Sequence, residues 1–521
     1  MDKENLKQVI ADVLREIKLD TPADTPLSST SEQGSPVGNT APPAATGIPS
    51  DAVSNPPAAA GKAPSGSITL PEAARKALPQ GRGIFPTLGE ALSAAHKAQR
   101  ELVELGLDKR REIIAAMRRI FLDNAAMLAE QAARETGMGS PAYKTLKNQL
   151  AAEKTPGVED VQPAVFTDEH GLTLVERAPY GVIGTIIPST NPTSTVVCNA
   201  IGMISGGNTA VFNPHPAARE CSALAVSLLA EAIEKAGGPA NCLTVMAEPT
   251  IASAEEMMRH PQIALLAVTG GPGVVKAAMG SGKKVIAAGP GNPPCVVDES
   301  ADIEKAGADI VHGAGFDHNI VCICEKEVIA VDSIADALKS AMLASGAYLL
   351  SAEETRKVTE LILIKPGGPG SEGVVNKKYV GKSPRLIASH IGVYVPDDVR
   401  VLLCEVPISH PLMWTEQLMP VLPLTRVKDA DAAIALAFEM EHGCRHTAMM
   451  HSRNIDKLSA MARLMNCSLF VKNGPCYAGL GMGGAGFPSF TIASPTGEGL
   501  TRPHTFTRER RCTLVDRFRI V

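Results

Sequence analysis

GVIGTIIPSTNPTSTVVCNAIGMISGGNTAVFNP, residues 181–214, is the stretch whose reading decides the architecture. GVIGTIIP (181–188) is a continuous apolar run without alternation, the mark of a strand covered on both faces. Asn191 and Pro192 stand at the turn that follows, and Thr193–Ser205 reads as a helix. NTAVFNP (208–214) is a second strand. Strand, helix and strand in succession make a parallel unit, because a parallel neighbour can be reached only by a crossover.

The same alternation continues downstream. A long helix is predicted through Ala217–Ala236, a strand at CLTVMA (242–247), a helix at Ala252–Arg259 and a strand at IALLAVTGG (263–271). Short apolar runs separated by helices indicate a doubly wound parallel sheet of the dinucleotide-binding type. Upstream, helical patterns fill 86–154, as in LDKRREIIAAMRRIFLDNAAMLAEQAARE. From about 289 to 480 a second α/β pattern follows, with strands predicted at PCVVD, EKEVIAV, PVLPLTRV and CSLFVKN.

The amino-terminal region is different in kind. Leu6, Val9, Ile10, Val13, Leu14 and Ile17 fall at helical spacing and form one apolar stripe on residues 1–18. Residues 21–70 hold nine prolines and no aromatic residue, a composition that cannot bury enough apolar surface to offset ordering. A sticky helix on a flexible tether reads as a docking tag. The alternative is that the helix packs back on its own domain.

Composition removes several function classes. The net charge of -5 lacks the basic excess of a nucleic-acid binder, and aromatics at 3% argue against stacking platforms for single strands. No apolar run of about 18 residues predicts a membrane span, and MDKENLKQVI lacks the apolar region of an export signal. The eleven scattered cysteines are therefore expected to be reduced thiols.

Four segments carry candidate chemistry. VTGGPGVVKAAMGSG (268–282) stands where a strand meets a helix, so Gly270, Gly271 and Gly273 allow either a pyrophosphate cradle or a plain tight turn. Asn191 is open to two readings, a helix cap and a side-chain donor to an oxyanion. In GFDHNIVCICEKEVIAV (315–331), Cys322 and Cys324 lack a second cysteine pair to make a metal site or a disulfide framework, and composition does not choose Cys322 over the others. EHGCRHTAMMHS (441–452) offers His442, Cys444, His446 and His451, but at no standard zinc spacing; no metal is expected, and the segment reads as a helix end or cleft wall.

Taken in order, ERAPYGVIGTIIPSTNPT, LLAVTGGPGVV, FDHNIVCICEKEVIAV, TEQLMPVLPL and VKNGPCYAGLGMGG…SPTGEGLTRPHTFTRERRC resemble the aldehyde dehydrogenase superfamily. More narrowly they are similar to the CoA-acylating propionaldehyde dehydrogenases of bacterial microcompartments, over roughly residues 83–521. The resemblance implies an α/β, aldehyde dehydrogenase-like fold. An encapsulation helix at 1–18 and a linker at 19–82 would precede an NAD(CoA)-binding domain at 83–288, with an oligomerisation arm near 166–180. A catalytic domain at 289–480 and a C-terminal return and oligomerisation strand at 481–521 would follow.

It also implies roles. Cys322 matches the nucleophile and Asn191 the oxyanion donor, with one extra residue between Pro188 and Asn191 compared with hydrolytic relatives. Ile187, Pro188, Thr269, Gly270 and Gly271 match the cofactor-binding region, Asn213 replaces a lysine that touches the adenosine ribose, and Glu416 matches the carboxylate on the nicotinamide ribose. NAD and coenzyme A are the implied cofactor and co-substrate. The implied partners are a small aldehyde, a second copy of the chain in a dimer or dimer of dimers, and a shell protein met through residues 1–18, inside a microcompartment of the bacterial cytoplasm.

The departure with the most chemical content is in KKVIAAGPGNPP (283–294). Hydrolytic relatives carry Glu-Leu-Gly-Gly-Lys here, whose glutamate activates water. This chain has Ala288-Gly289-Pro290-Gly291-Asn292 and no carboxylate. Water attack on a thioester should then be slow, whereas a thiol needs no such base. The competing readings are a hydrolytic or semialdehyde-specific dehydrogenase and a catalytically silent shell adaptor.

Overall fold

Strand Ile84–Phe85 is the first element of the structure, a computed structural model that describes residues 81–521. The helix read at 1–18 and the linker up to residue 80 lie outside the described residues. The described residues fall within one compact unit and hold two parallel sheets.

The first sheet has six strands in the order Ile84–Phe85, Leu243–Met246, Thr209–Pro214, Val182–Ile187, Leu265–Thr269 and Val285–Ala288, all parallel. From Val182–Ile187 the chain crosses to one side for two strands and then returns to the other side. The strand order therefore reverses between Ile187 and Thr269, the kind of crevice where open α/β sheets bind ligands. The second sheet has seven parallel strands, with Pro294–Val297 and Glu327–Val331 near its centre.

Alternation along the strands assigns three apolar layers. Ile183 and Ile187 face a central core that also takes Cys295, Val297, Val328 and Ala330 from the second sheet. Val182 and Ile186 face an outer layer with Val211 and Leu266. Val296 and Ile329 face a third layer that contains Trp414. Helix Pro192–Ser205 feeds the central core and is buried along its whole length, which explains its mostly apolar sequence.

Eight strands read from the sequence are present within two residues of their predicted ends. Three strands of the second sheet were not read: Ala347–Leu349, Val401–Glu405 and Thr447–His451. The last of these lies inside the histidine-rich segment, so that segment is a helix end followed by a buried strand. The helix read through 217–236 opens with a tighter turn, Pro216–Ala218, before Arg219–Lys235.

A three-stranded antiparallel sheet stands apart, built from Ala164–Asp168, Gly171–Pro179 and Thr507–Val515. Its strands come from two distant parts of the chain. The arm read near 166–180 thus includes part of the C-terminal segment. Asn208 ties it to the first sheet. Its side-chain oxygen accepts from the N–H groups of Tyr180 and Gly181 at 2.7 and 3.1 Å, and its amide donates to the carbonyl of Phe506 at 2.9 Å.

Asn208 is fully buried. Asn208→Ala would therefore leave buried backbone groups unpaired, at about 1–3 kcal/mol for each group that finds no new partner. We expect calorimetry to give a lower unfolding temperature for this variant, with little change in the rate of the catalysed reaction below the transition.

Candidate active site

Asn213, Ile187 and Thr269 end three adjacent parallel strands and lie at one level. Ile186 is in register with Asn213 and with Val268, and Thr269 with Ala288. Of the sequence-predicted cofactor residues, Ile187, Pro188, Asn213 and Thr269–Gly271 thus lie at the carboxyl edge of the first sheet at its switch point, and Glu416 comes from the second sheet's side. Gly271 caps helix Pro272–Met279, and a Cβ built there would meet nothing within 4 Å. This gap suits a pyrophosphate at the helix N-terminus. Thr269 is held by a hydroxyl contact to Thr491 at 2.9 Å.

Two of the predicted cofactor side chains are committed inward. Ile187 is part of the central core, so what it presents at the edge is backbone. Asn213 is buried, and its side-chain oxygen accepts from Ser253 Oγ at 2.7 Å. That bond fixes the helix Ile251–Arg259 to the strand end.

Asn191 caps the buried helix Pro192–Ser205 from the opposite wall of the crevice. Its side chain makes no capping bond, so the plain helix-cap reading fails. Its oxygen instead accepts from Lys147 Nζ at 2.5 Å, and its amide nitrogen donates to Thr190 Oγ1 at 3.2 Å.

Lys147 comes from helix Pro141–Lys154, where Lys144 lies one turn earlier. Both ammonium groups bond the Asp317 carboxylate, Lys144 at 3.4 Å. All three side chains are buried. Burial alone would push the Asp317 carboxyl up, but Lys147 and then Lys144 more than reverse this and hold it below the usual carboxylate range. Lys144 gives way between the two cations: burial first, then Lys147, push it down to about 8.

Asp317 opens the loop that carries Cys322. Asp317, His318 and Asn319 have φ of 48°, 55° and 64°, three consecutive left-handed residues. A conformation this costly persists only where its surroundings impose it. Here Asp317 also accepts from Ser140 N at 2.7 Å, and Asn319 donates to the carbonyls of Ala314 and Glu325 at 2.8 and 3.0 Å. Lys326 closes the loop from below, reaching the Asn319 carbonyl and side-chain oxygen at 2.9 and 2.5 Å.

Cys322 is only partly buried, unlike its neighbour Cys324. Burial of the thiol, followed by the nearby charge of Glu416, pushes it up to about 12, against the pull of Lys326. The resting group is a thiol near neutral pH. Glu416 faces the same space. It accepts from the Gly291 N–H, and burial pushes it up to about 7 in spite of Lys326. A half-desolvated carboxyl of this kind suits the hydroxyl groups of a ribose, which would supply the donors it lacks.

The segment Ala288–Asn292 runs between these walls. A Cβ at Gly289 would come 2.9 Å from the Pro495 ring, and one at Gly291 would come 2.9 Å from His446. These two glycines serve close approach. Ala288 is buried at the strand end, and Asn292 donates to Glu327 and to the Met440 carbonyl at 3.2 and 3.0 Å.

His442, Cys444, His446 and His451 do not converge. His442 bonds the Trp414 carbonyl at 2.9 Å, and His446 bonds Thr447 Oγ1 at 2.8 Å. Burial, then Lys326, pushes His446 down to about 4, so it stays neutral. Among the described residues no group of three or more His, Cys, Asp or Glu side chains could hold a metal. Lys147, Asp317 and Lys326 escaped the sequence reading. Their signal is weak, because a lysine in a helix normally means a solvated face.

The chain is similar to several known proteins. Residues 86–357 match the aldehyde dehydrogenase family. The CoA-propanoylating propanal dehydrogenase of Salmonella typhimurium is 48% identical over 85% of this chain and 94% of its own length. A propionaldehyde dehydrogenase from the fucose utilisation microcompartment of Clostridium phytofermentans superposes with a TM-score of 0.82, at 46% identity over 84% of this chain and 100% of its own. The Rhodopseudomonas palustris propionaldehyde dehydrogenase, solved with bound CoA and an acylated cysteine, gives 0.81 at 46% identity, covering 83% of this chain and 98% of its own. With its switch-point crevice and these relatives along the same stretch, the chain belongs to the aldehyde dehydrogenase family.

Proposed function

We propose that the chain oxidises a short-chain aldehyde, propionaldehyde or acetaldehyde, with NAD and passes the acyl group from a Cys322 thioester to coenzyme A. The observation that carries this reading is the segment Ala288–Asn292, which lacks a carboxylate and whose glycines are packed against Pro495 and His446. A water-activating glutamate of the hydrolytic kind has no counterpart there.

Cys322 rests as a thiol and reacts as its thiolate, the proton passing to solvent. Its sulfur adds to the aldehyde carbon, and the Asn191 amide with a backbone N–H stabilises the resulting oxyanion. Thr269–Gly271 and Glu416 would hold a nicotinamide dinucleotide, which would supply the hydride acceptor. Cys322 is left as a thioester, and attack by the CoA thiol restores the free cysteine and releases acyl-CoA.

The arm strands expose Val165, Phe166, Leu514 and Val515. This surface supports a homo-oligomer, a dimer or dimer of dimers, in which a second copy covers it. The apolar stripe on residues 1–18 supports docking on a microcompartment shell protein within the bacterial cytoplasm. Deleting these residues should abolish packaging, measured by co-purification with shells, and leave soluble activity unchanged. Loss of activity on deletion would assign the helix to the catalytic core instead.

Without CoA, aldehyde and NAD should give a burst of about one NADH per active site, followed by a slow phase. Adding CoA should restore steady turnover, and Cys322→Ala should remove the burst. Fast and sustained acid formation without CoA would instead make Glu416 the base of a hydrolytic enzyme.

The thiol of Cys322 is held well above neutrality, so its thiolate fraction rises about tenfold per pH unit between pH 7 and 9. Iodoacetamide labelling of the cofactor-free enzyme, read by mass spectrometry on the Cys322 peptide, should follow that slope. Glu416→Gln removes a negative neighbour and lowers the thiol pKa, so labelling at pH 8 should become roughly 2- to 10-fold faster. Unchanged labelling in this variant would place Glu416 outside the field of the thiol.

A further inference from the structure

We propose that Lys147, held in place by Asp317, is a positioning residue that sets the orientation of the Asn191 amide toward the reacting oxygen. The inference rests on the reading of Asn191 as oxyanion donor. It concerns a part of the protein that the mechanism above does not use.

An ammonium has three N–H donors and no acceptor. Facing a primary amide, it can meet only the oxygen. Lys147 Nζ lies 2.5 Å from Asn191 Oδ1, so the Asn191 NH2 group must point the other way. One of its two hydrogens goes to Thr190 Oγ1 at 3.2 Å, and the other is left for a ligand. An amide beside a neutral neighbour could turn over and present its oxygen to the developing negative charge. That would replace attraction by repulsion at the point where preorganised donors count most.

The ammonium does more than orient. A positive charge on the amide oxygen draws electron density from the nitrogen and strengthens its N–H groups as donors. Lys147 is itself immobile. Only 1% of its side chain is exposed, and it is bonded to Asp317, which is fully buried. Lys144 bonds the same carboxylate and donates to the Thr190 carbonyl at 3.1 Å, which fixes the residue next to Asn191. Asp317 stands five positions before Cys322 in the left-handed turn Asp317–Asn319. The same carboxylate therefore anchors both the loop of the nucleophile and the cation that aims the oxyanion donor.

Gly139 shows how closely the cluster is built. A Cβ there would lie 2.2 Å from an Asp317 carboxylate oxygen, so the turn before helix Pro141–Lys154 leaves room for the charge and nothing else.

The test is a double-mutant cycle on the full-length enzyme, with the NADH burst rate at saturating aldehyde and NAD as readout. Lys147→Met should slow the burst by about 10- to 100-fold, below the ceiling of roughly 10²–10³ for loss of a whole oxyanion donor. The dissociation constant of NAD and the KM for CoA should stay within about twofold, since neither ligand meets Lys147. Lys147→Arg keeps a donor-only cation and should recover most of the rate. In the Asn191→Ala background, Lys147→Met should cost less than about twofold more, because its effect passes through that amide.

If the two single effects multiply in the double variant, Lys147 acts independently of Asn191 and the inference is overturned. A normal burst in Lys147→Met overturns it too. If Asn191→Ala alone keeps a normal burst while Cys322→Ala abolishes it, the oxyanion reading itself falls, an outcome separate from the others. Should Lys147→Met fail to fold, Lys147→Met with Asp317→Asn removes one cation and the anion together and leaves Lys144 as the remaining buried cation, and the same cycle with Asn191→Ala decides the question.

Discussion

Asp317 has no access to solvent, so its negative charge must be met from within the protein. Much of the catalytic geometry follows from that constraint. Two lysines of helix Pro141–Lys154 turn inward to meet it, which pins the helix between the Cys322 loop and the start of helix Pro192–Ser205. The strained turn Asp317–Asn319 is held by the same bonds. Removing Asp317 would leave two buried lysines without their anion, whereas Lys144 still pairs with the carboxylate when Lys147 is lost. Rigidity here is a consequence of electrostatics as much as of packing.

The sheets supply the frame for this cluster. Strands buried on both faces must be apolar without interruption, and that is why 181–214 could be read so directly. The same rule explains the central position of helix Pro192–Ser205, whose 14 residues are all buried. The crevice arises from connectivity: one strand sends the chain first to one side and later to the other. Glycines and helix ends then sit at its lip because that is where the strands stop.

What could not be read has equally physical causes. The strands Ala347–Leu349 and Val401–Glu405 are short and lie among helices, where periodicity gives few matches to count. Thr447–His451 is buried although it ends in histidine, and its polar ends masked a core strand. In helix Pro141–Lys154 the usual pattern is inverted. Lys144, Lys147 and Asn148 are buried, while Leu146 is 45% exposed. A reading that places lysine in water must fail at such a helix, and the failure marks a place where charge is used inside. Three consecutive left-handed residues at 317–319 leave no trace in composition either, since only the tertiary bonds of Asp317 and Asn319 hold them.

The choice of acyl acceptor follows from packing in the same region. A thioester in this crevice can be resolved by any nucleophile that reaches it, so the outcome turns on which one is activated. Water needs a base because its pKa is far above neutral; a thiol is already substantially reactive near its own pKa of about 8.5. Gly289 and Gly291 are pressed against Pro495 and His446, and Ala288 is sealed at the strand end. His446 is held neutral and bonded to Thr447, so it offers the segment no charge. The wall that in hydrolytic relatives bears a carboxylate is here made of backbone and ring carbon. Its carboxylates lie elsewhere. Asn292 ties Glu327 into the interior, and Glu416 meets the Gly291 N–H. With water left unactivated on this side, the thioester persists long enough for a soluble thiol to arrive, and the product becomes a new thioester rather than an acid.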